Sequence, residues 1–278
     1  MKVGIVGLGL IGGSLAKAAR SRTTHEILGY DLDEEVMTMA RMSGAIDGVL
    51  TDELIGECGI ILLALRPAAA VAWVEEHAGQ VSPDAVVVDM CGVKRAVCEA
   101  IRPMAERAGF HYIGGHPMAG SENGGFVNSD RDLFDGASMI LVPDEHTDMQ
   151  MLEMLKGFFL TIGFERLTFT DQEEHDRLIA YTSQLCHIAS NAFVKSPSAQ
   201  RHMGFSAGSF RDLTRVAKLD EDMWTELFLD NADYLADELE LLIDELKPYL
   251  VALRAHDDEA LRALLREGRE LKATAGGR

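Results

Sequence analysis

Positive charge is in short supply in this sequence. Its 45 Asp and Glu residues outnumber 26 Lys and Arg, a formal net charge of −19. Such a field repels nucleic acid and anionic membrane surfaces, so neither is expected as a partner. An anionic substrate would have to be met by locally placed cations. Cysteine is scarce as well. Cys58, Cys91, Cys98 and Cys186 show no C-x-x-C or zinc spacing. That speaks against a disulfide scaffold and a structural zinc, and for free, mostly buried thiols in a reducing cytoplasm. Long apolar runs are missing: IILLAL at 60–65 is far too short to span a bilayer. No signal-peptide pattern, repeat or low-complexity linker is present. There is no H-E-x-x-H or comparable set, so no metal is expected, and no G-x-S-x-G elbow for hydrolase chemistry.

What is present begins at once. Residues 2–20 read KVGIVGLGLIGGSLAKAAR. Val3, Ile5 and Val6 form the apolar, β-branched run of a buried parallel strand. Gly7, Gly9 and Gly12 follow in G-x-G-x-x-G spacing, and a helix pattern starts immediately. In a strand–turn–helix context these glycines permit a tight turn, close approach of a pyrophosphate, and close helix–strand packing. The N–H groups from Leu10 and Ile11 onward then face the phosphates, aided by the helix dipole. A second strand, HEILGY at 25–30, ends at Asp31, placed to take the ribose 2′-hydroxyl of NAD and to repel the 2′-phosphate of NADP. Asp33 is the weaker candidate, since it can cap the next helix.

Strand-like and helix-like segments alternate up to about residue 170: strands at 60–65, 85–89, 111–114, 138–142 and 164–169, with helices at 67–78, 94–108 and 149–160. This is the pattern of an α/β, doubly wound, mostly parallel sheet, which binds ligands at the carboxyl ends of its strands. Leu65, at one such end, either lies against a cofactor or sits in a surface loop. Beyond 170 the strand period stops. Thr170-x-x-Glu173 reads as a capping box, and Leu178, Tyr181, Leu185, Ile188 and Ala192 recur at helical spacing. Ser209-x-x-Asp212 suggests another cap. A long helix is expected over 221–246, its stripe of Leu235, Leu239, Leu242 and Leu246 being either core or a contact with a second chain. Pro248 should break or kink it. Asp257 should cap a last helix, and 272–278 reads as a frayed tail. The expected division is 1–170, a Rossmann-type NAD-binding domain, and 171–278, an all-α domain, with no flexible tether between them.

The stretch GGHPMAGSENGG at 114–125 carries the most unusual chemistry. Pro117 holds His116 extended, and a histidine fixed at a sheet edge suits a general base. Five glycines would allow a ligand to approach. The alternative is a plain glycine-rich turn with a solvated His116. Ser183 and His187, four apart, share a helix face; His175 is too far round to join them. Arg211 and Arg215 are also four apart, and Arg215 could either grip a carboxylate or pair with Asp212.

In combination GLGLIGGS, DMCGVK at 89–94, GGHPMAGSE at 114–122, TSQLCH at 182–187 and FRDLTRVAKLDEDMW at 210–224 resemble, in order, the blocks of prephenate (cyclohexadienyl) dehydrogenases. The resemblance covers nearly the whole chain. It implies a Rossmann domain followed by a helical substrate-binding and dimerisation domain, hence a homodimer. The implied reaction, in tyrosine biosynthesis, turns prephenate and NAD into 4-hydroxyphenylpyruvate, carbon dioxide and NADH. Arogenate is the rival substrate, and a non-catalytic NAD-binding regulator the remote one. By the family pattern His116 accepts the ring-hydroxyl proton, Arg215 holds a substrate carboxylate, and His187 with Ser183 lines the pocket. Ser121 and Glu122 match its mouth, with Glu122 balanced by Arg215 and Asp212. Gly92 departs from the pattern: many members have a serine there that bonds the catalytic histidine, so a water or Ser121 is expected to orient His116 instead. Cys186 replaces a proline with little consequence. No fused chorismate mutase or ACT domain is expected.

Overall fold

Short β-branched runs, apolar on both sides, build one eight-stranded sheet. In the computed structural model, which describes residues 1–275, its strands are β1 (Lys2–Val6), β2 (Glu26–Tyr30), β3 (Gly48–Val49), β4 (Cys58–Leu63), β5 (Val86–Asp89), β6 (His111–Pro117), β7 (Ser138–Val142) and β8 (Arg166–Phe169). Their spatial order is β3-β2-β1-β4-β5-β6-β7-β8, parallel throughout except for the antiparallel β6–β7 pair. The order reverses between β1 and β4, the switch point where such sheets open a ligand crevice.

Helices α1 (Leu10–Arg22), α2 (Glu34–Met42), α3 (Asp52–Ile55), α4 (Pro67–His77), α5 (Arg95–Ala108) and α6 (Met149–Thr161) connect the strands. Val3, Ile5, Leu62 and Val88 face one buried cluster with Leu15, Ala19 and Phe159. Val6, Ile61, Leu63 and Val87 face another with Trp73, Val97 and Ile101. Burial on both faces explains why these strands read as continuous apolar runs rather than as alternation.

After β8 come α7 (Gln172–Ile179), a π-helical stretch (Ala180–Leu185), α8 (Cys186–Phe193), α9 (Gly208–Thr214) and α10 (Glu221–Asp230). These belong with the sheet to one compact unit, Met1–Asn231. The second unit starts at Ala232 and holds α11 (Ala232–Ala255) and α12 (Asp258–Ala275).

Several local expectations change. The helix over 221–246 is interrupted at Asn231, whose buried amide donates to the Asp176 carbonyl and the Gln184 side chain. Pro248 does not break α11; it sits inside it at an exposed position, where water can satisfy the carbonyl it leaves unpaired. Asp171, not Thr170, caps α7, accepting from the Glu174 N–H, and α9 starts from Ala207 without a side-chain cap. Residues 272–275 continue α12, and 276–278 lie outside the described residues. The stripe at 178–192 does not hold either. Leu178 and Tyr181 are exposed, as is Ala192, while His175, Asp176, Ile179, Ala180 and Gln184 join Leu185 in the interior. The π-helical stretch accommodates an extra residue per turn, so a 3.6-residue count across it picks the wrong face.

Candidate active site

The glycine turn has the predicted construction. Gly7 follows β1 with φ +83°, and a Cβ there would lie 2.5 Å from the Ala64 carbonyl oxygen and 2.8 Å from the Leu65 side chain. A Cβ on Gly12 would collide with the Gly7 carbonyl. Gly9 has nothing within 4 Å of its Cβ position, so the open side of the turn lies over the start of α1 at Leu10 and Ile11. Two glycines serve packing, and the third leaves room for a phosphate group. At the end of β2, Asp31 accepts from the Leu8 N–H at 2.6 Å and the Asp33 N–H at 3.0 Å. Its carboxylate is thereby fixed beside the turn with acceptor capacity to spare. Asp33 caps α2, accepting from Glu35 and Val36 N–H groups. Leu65, half-buried, follows β4 across the switch point. These residues fit a dinucleotide.

Three strands along the sheet from β1, β6 delivers His116 to the same carboxyl edge. The strand is three residues longer than the sequence suggests, so His116 is a strand residue paired in register with Ile140 of β7. Gly114 and Gly115 before it approach protein rather than ligand. A Cβ on Gly115 would lie 2.6 Å from the Asp89 carbonyl oxygen, and one on Gly114 2.8 Å from Cys98 Sγ.

Beneath His116 lies a buried polar network that sequence reasoning missed. Lys94 is fully buried, bonded to Asp89 at the end of β5 and, at 2.6 Å, to the Gly115 carbonyl. Tyr112 donates to the other Asp89 oxygen at 2.7 Å. Burial works against the Lys94 charge, but Asp89 outweighs it and raises the pKa. His116 Nδ1 stands 3.0 Å from His175 Nε2, and His175 Nδ1 stands 2.7 Å from Asp176 Oδ1. Asp176 also accepts from the Lys94 and Arg95 N–H groups at the start of α5, at 2.7 and 2.9 Å. Burial would raise its pKa, but the bonds from His175 and Arg95 prevail and lower it. The His116 ring keeps some solvent access yet is packed by protein. Burial first, then His175 and Lys94, push its pKa well below the ordinary histidine value.

A second group gathers at the other end of the α7–α8 run. His187 packs on Trp224, ring centroids 4.0 Å apart and the planes tilted by 32°, and its Nδ1 meets the Ser183 carbonyl at 2.8 Å. Burial lowers its pKa, with a further contribution from the charge of Arg215. Arg215 itself is exposed just past α9. The alternative pairing of Arg215 with Asp212 does not form among the described residues. Nor does Glu122 pair with either of them. Ser121 and Glu122 sit on an exposed loop where the Ser121 hydroxyl accepts from the Asn123 N–H at 3.2 Å. Ser121 therefore does not orient His116; His175 takes the position next to it. The adjacent His–Asp pair just after the last strand is the available signal; it is hidden because His175 does not share the Ser183 face and its partner lies 59 residues away.

Comparison with known proteins bears on these parts directly. The model of the nucleotide-binding domain of prephenate dehydrogenases matches residues 15–166, and that of their dimerisation domain matches 171–267. The chain belongs to the prephenate dehydrogenase family. It is 30% identical to a cyclohexadienyl dehydrogenase of Zymomonas mobilis over 97% of this chain and 94% of that one. The prephenate dehydrogenase of Aquifex aeolicus, solved with hydroxyphenyl propionate and NAD+, is 28% identical with a TM-score of 0.82, covering 99% of this chain and 98% of that one. The arogenate dehydrogenase of Synechocystis is 26% identical with a TM-score of 0.81 over 99% and 100%. As a member of the prephenate dehydrogenase family the chain is an oxidoreductase with a nucleotide-binding sheet domain. None of its described helices is long and apolar enough to cross a membrane.

Proposed function

We propose that this chain is a dehydrogenase that uses NAD to convert prephenate into 4-hydroxyphenylpyruvate and carbon dioxide. The observation that carries it is the placing of His116, at the end of β6, on the same sheet edge as the Gly7–Gly12 turn and Asp31. Gly9 gives the pyrophosphate room, the first turn of α1 offers its N–H groups, and Asp31 takes the ribose hydroxyls. When bound, NAD supplies the hydride acceptor.

The protein's own part is orientation and proton movement. His116 accepts the ring-hydroxyl proton as the carbon beneath loses hydride, leaving a dienone. The bond to the ring carboxylate then breaks, carbon dioxide departs, and its electron pair makes the ring aromatic. His116 returns the proton to the resulting phenolate oxygen, so no net proton is consumed. Arg215 holds a carboxylate, with His187 and Ser183 beside it and Ser121 and Glu122 at the mouth. The family match 171–267 supports 171–278 as the substrate-binding and dimerisation half. The exposed Leu241, Ile243, Leu246, Leu250, Val251 and Leu253 of α11 support a homodimer. Four free thiols support work in the reducing cytoplasm.

Steady-state assay of the purified protein with prephenate and with arogenate tests the reading. Efficient NADH production from prephenate is expected. Turnover of arogenate alone would assign the rival substrate, as the likeness to the Synechocystis enzyme allows. Light scattering at micromolar concentration should return twice the chain mass, and a monomer would overturn the dimer.

A further inference from the structure

We infer that His175 and Asp176 are positioning residues that lock His116 in its Nδ1–H tautomer, leaving the Nε2 lone pair as the base. The argument starts at the carboxylate, which can only accept. Asp176 receives the Lys94 and Arg95 N–H groups and faces His175 Nδ1 at 2.7 Å. The proton of that last contact therefore sits on His175 Nδ1. A neutral His175 then has only a lone pair on Nε2, and this atom is 3.0 Å from His116 Nδ1. A hydrogen bond needs one proton between them, and His116 Nδ1 must supply it. Neutral His116 consequently carries no proton on Nε2.

The premise that His175 is neutral has its own support. It is 2% exposed, and burial, the largest influence, lowers its pKa despite the Asp176 bond. The ammonium of Lys94, bonded to the Gly115 carbonyl one residue before His116, opposes a second cation here. The other charged groups facing the pair are Asp89, bonded to Lys94, and Arg95, whose Nε lies 3.5 Å from Asp176. Asp176 is itself anchored, since its N–H-bonded oxygens cap the start of α5 and its carbonyl accepts from Asn231. The relay thus orients His116 although Gly92, two residues before Lys94, carries no side chain to do so. The role of Nε2 as base rests on the proposed function; the tautomer does not.

The test has two arms on the full-length protein. Nitrogen-15 NMR of the imidazoles at neutral pH, assigned with His116→Asn and His175→Gln, should show Nδ1 protonated and Nε2 bare in both His116 and His175. An Nε2–H form of His116 overturns the proposal whatever the substrate proves to be. In kinetics, His175→Leu should lower kcat by roughly 10²–10⁴-fold, the range for a misdirected base, with KM and NAD affinity within about twofold. His175→Gln, whose amide oxygen can accept from His116 Nδ1, should recover much of the loss. Unchanged kcat in His175→Leu, or equal losses in both variants, overturns the role. Should His175→Leu not fold, the NMR arm on the wild-type protein still decides.

Discussion

The rings of His116 and His175 are tilted by 56° with their facing nitrogens 3.0 Å apart. Two imidazoles at that distance cannot both carry charge cheaply in a buried setting. Burial and His175 depress protonation of His116, burial and Lys94 depress that of His175, and the pair stays neutral over a range in which a solvated histidine would already titrate.

Removing the base follows directly. His116→Asn should lower turnover by roughly 10²–10⁴-fold with little change in NAD affinity. In the wild-type protein the acid limb of kcat/KM should lie clearly below the ordinary histidine value of ~6.5, because burial, His175 and Lys94 all favour the neutral ring. Retained wild-type turnover in the variant would shift attention to His187.

Stability should respond to the same shifts. His116 and His175 have folded-state pKa values below the unfolded value of ~6.5. Between the two values the unfolded chain binds more protons, so stability rises with pH there. The contribution is full above about pH 6.5 and is lost as pH falls toward the folded values. Denaturant midpoints measured from pH 8 to pH 5 should decline in the wild-type protein and decline less in His175→Gln.

Arg215→Ala should raise KM for the substrate by roughly 10–100-fold, the worth of one charge-assisted hydrogen bond, and leave NAD binding alone. Unchanged kinetics would make the exposed arginine a solvated surface group.

Asp31 sets the cofactor preference. Wild-type protein should use NAD far better than NADP, since a carboxylate fixed by the Leu8 N–H cannot swing away from a 2′-phosphate. Asp31→Ser should narrow that gap. Equal efficiency with the two cofactors in the wild-type protein would contradict the assignment.

Much of this architecture is legible in the sequence because its signals are local. The glycine turn, Asp31 and the Asp33 cap each depend on residues within a few positions, and the apolar runs mark the central strands. The two-residue β3 and one-turn α3 were not legible, being too short to carry a period. The relay to His116 was missed for a different reason. His175 lies 59 residues from it, and Lys94 and Asp89 reach His116 only through the Gly115 backbone beside it. Contacts of that separation leave no periodic trace in a single chain. Gly92 shows the converse: its departure from the family pattern is visible in the sequence, whereas the open fit is not. A Cβ there would meet only Leu227 at 3.4 Å, an ordinary contact, so Gly92→Ser should be tolerated.

The π-helical stretch at Ala180–Leu185 fixes the phase between two histidines. His175 lies before it, turned toward His116; His187 lies after it, packed on Trp224. Each residue of an α-helix turns the chain by about 100°. Were the same residues wound instead as regular α-helix, with none removed, everything beyond would rotate by about that angle relative to what precedes it. His187 would leave Trp224 while His175 stayed in place. The wide turn thus takes up the rotation of one residue, letting one continuous helical run serve two directions at once.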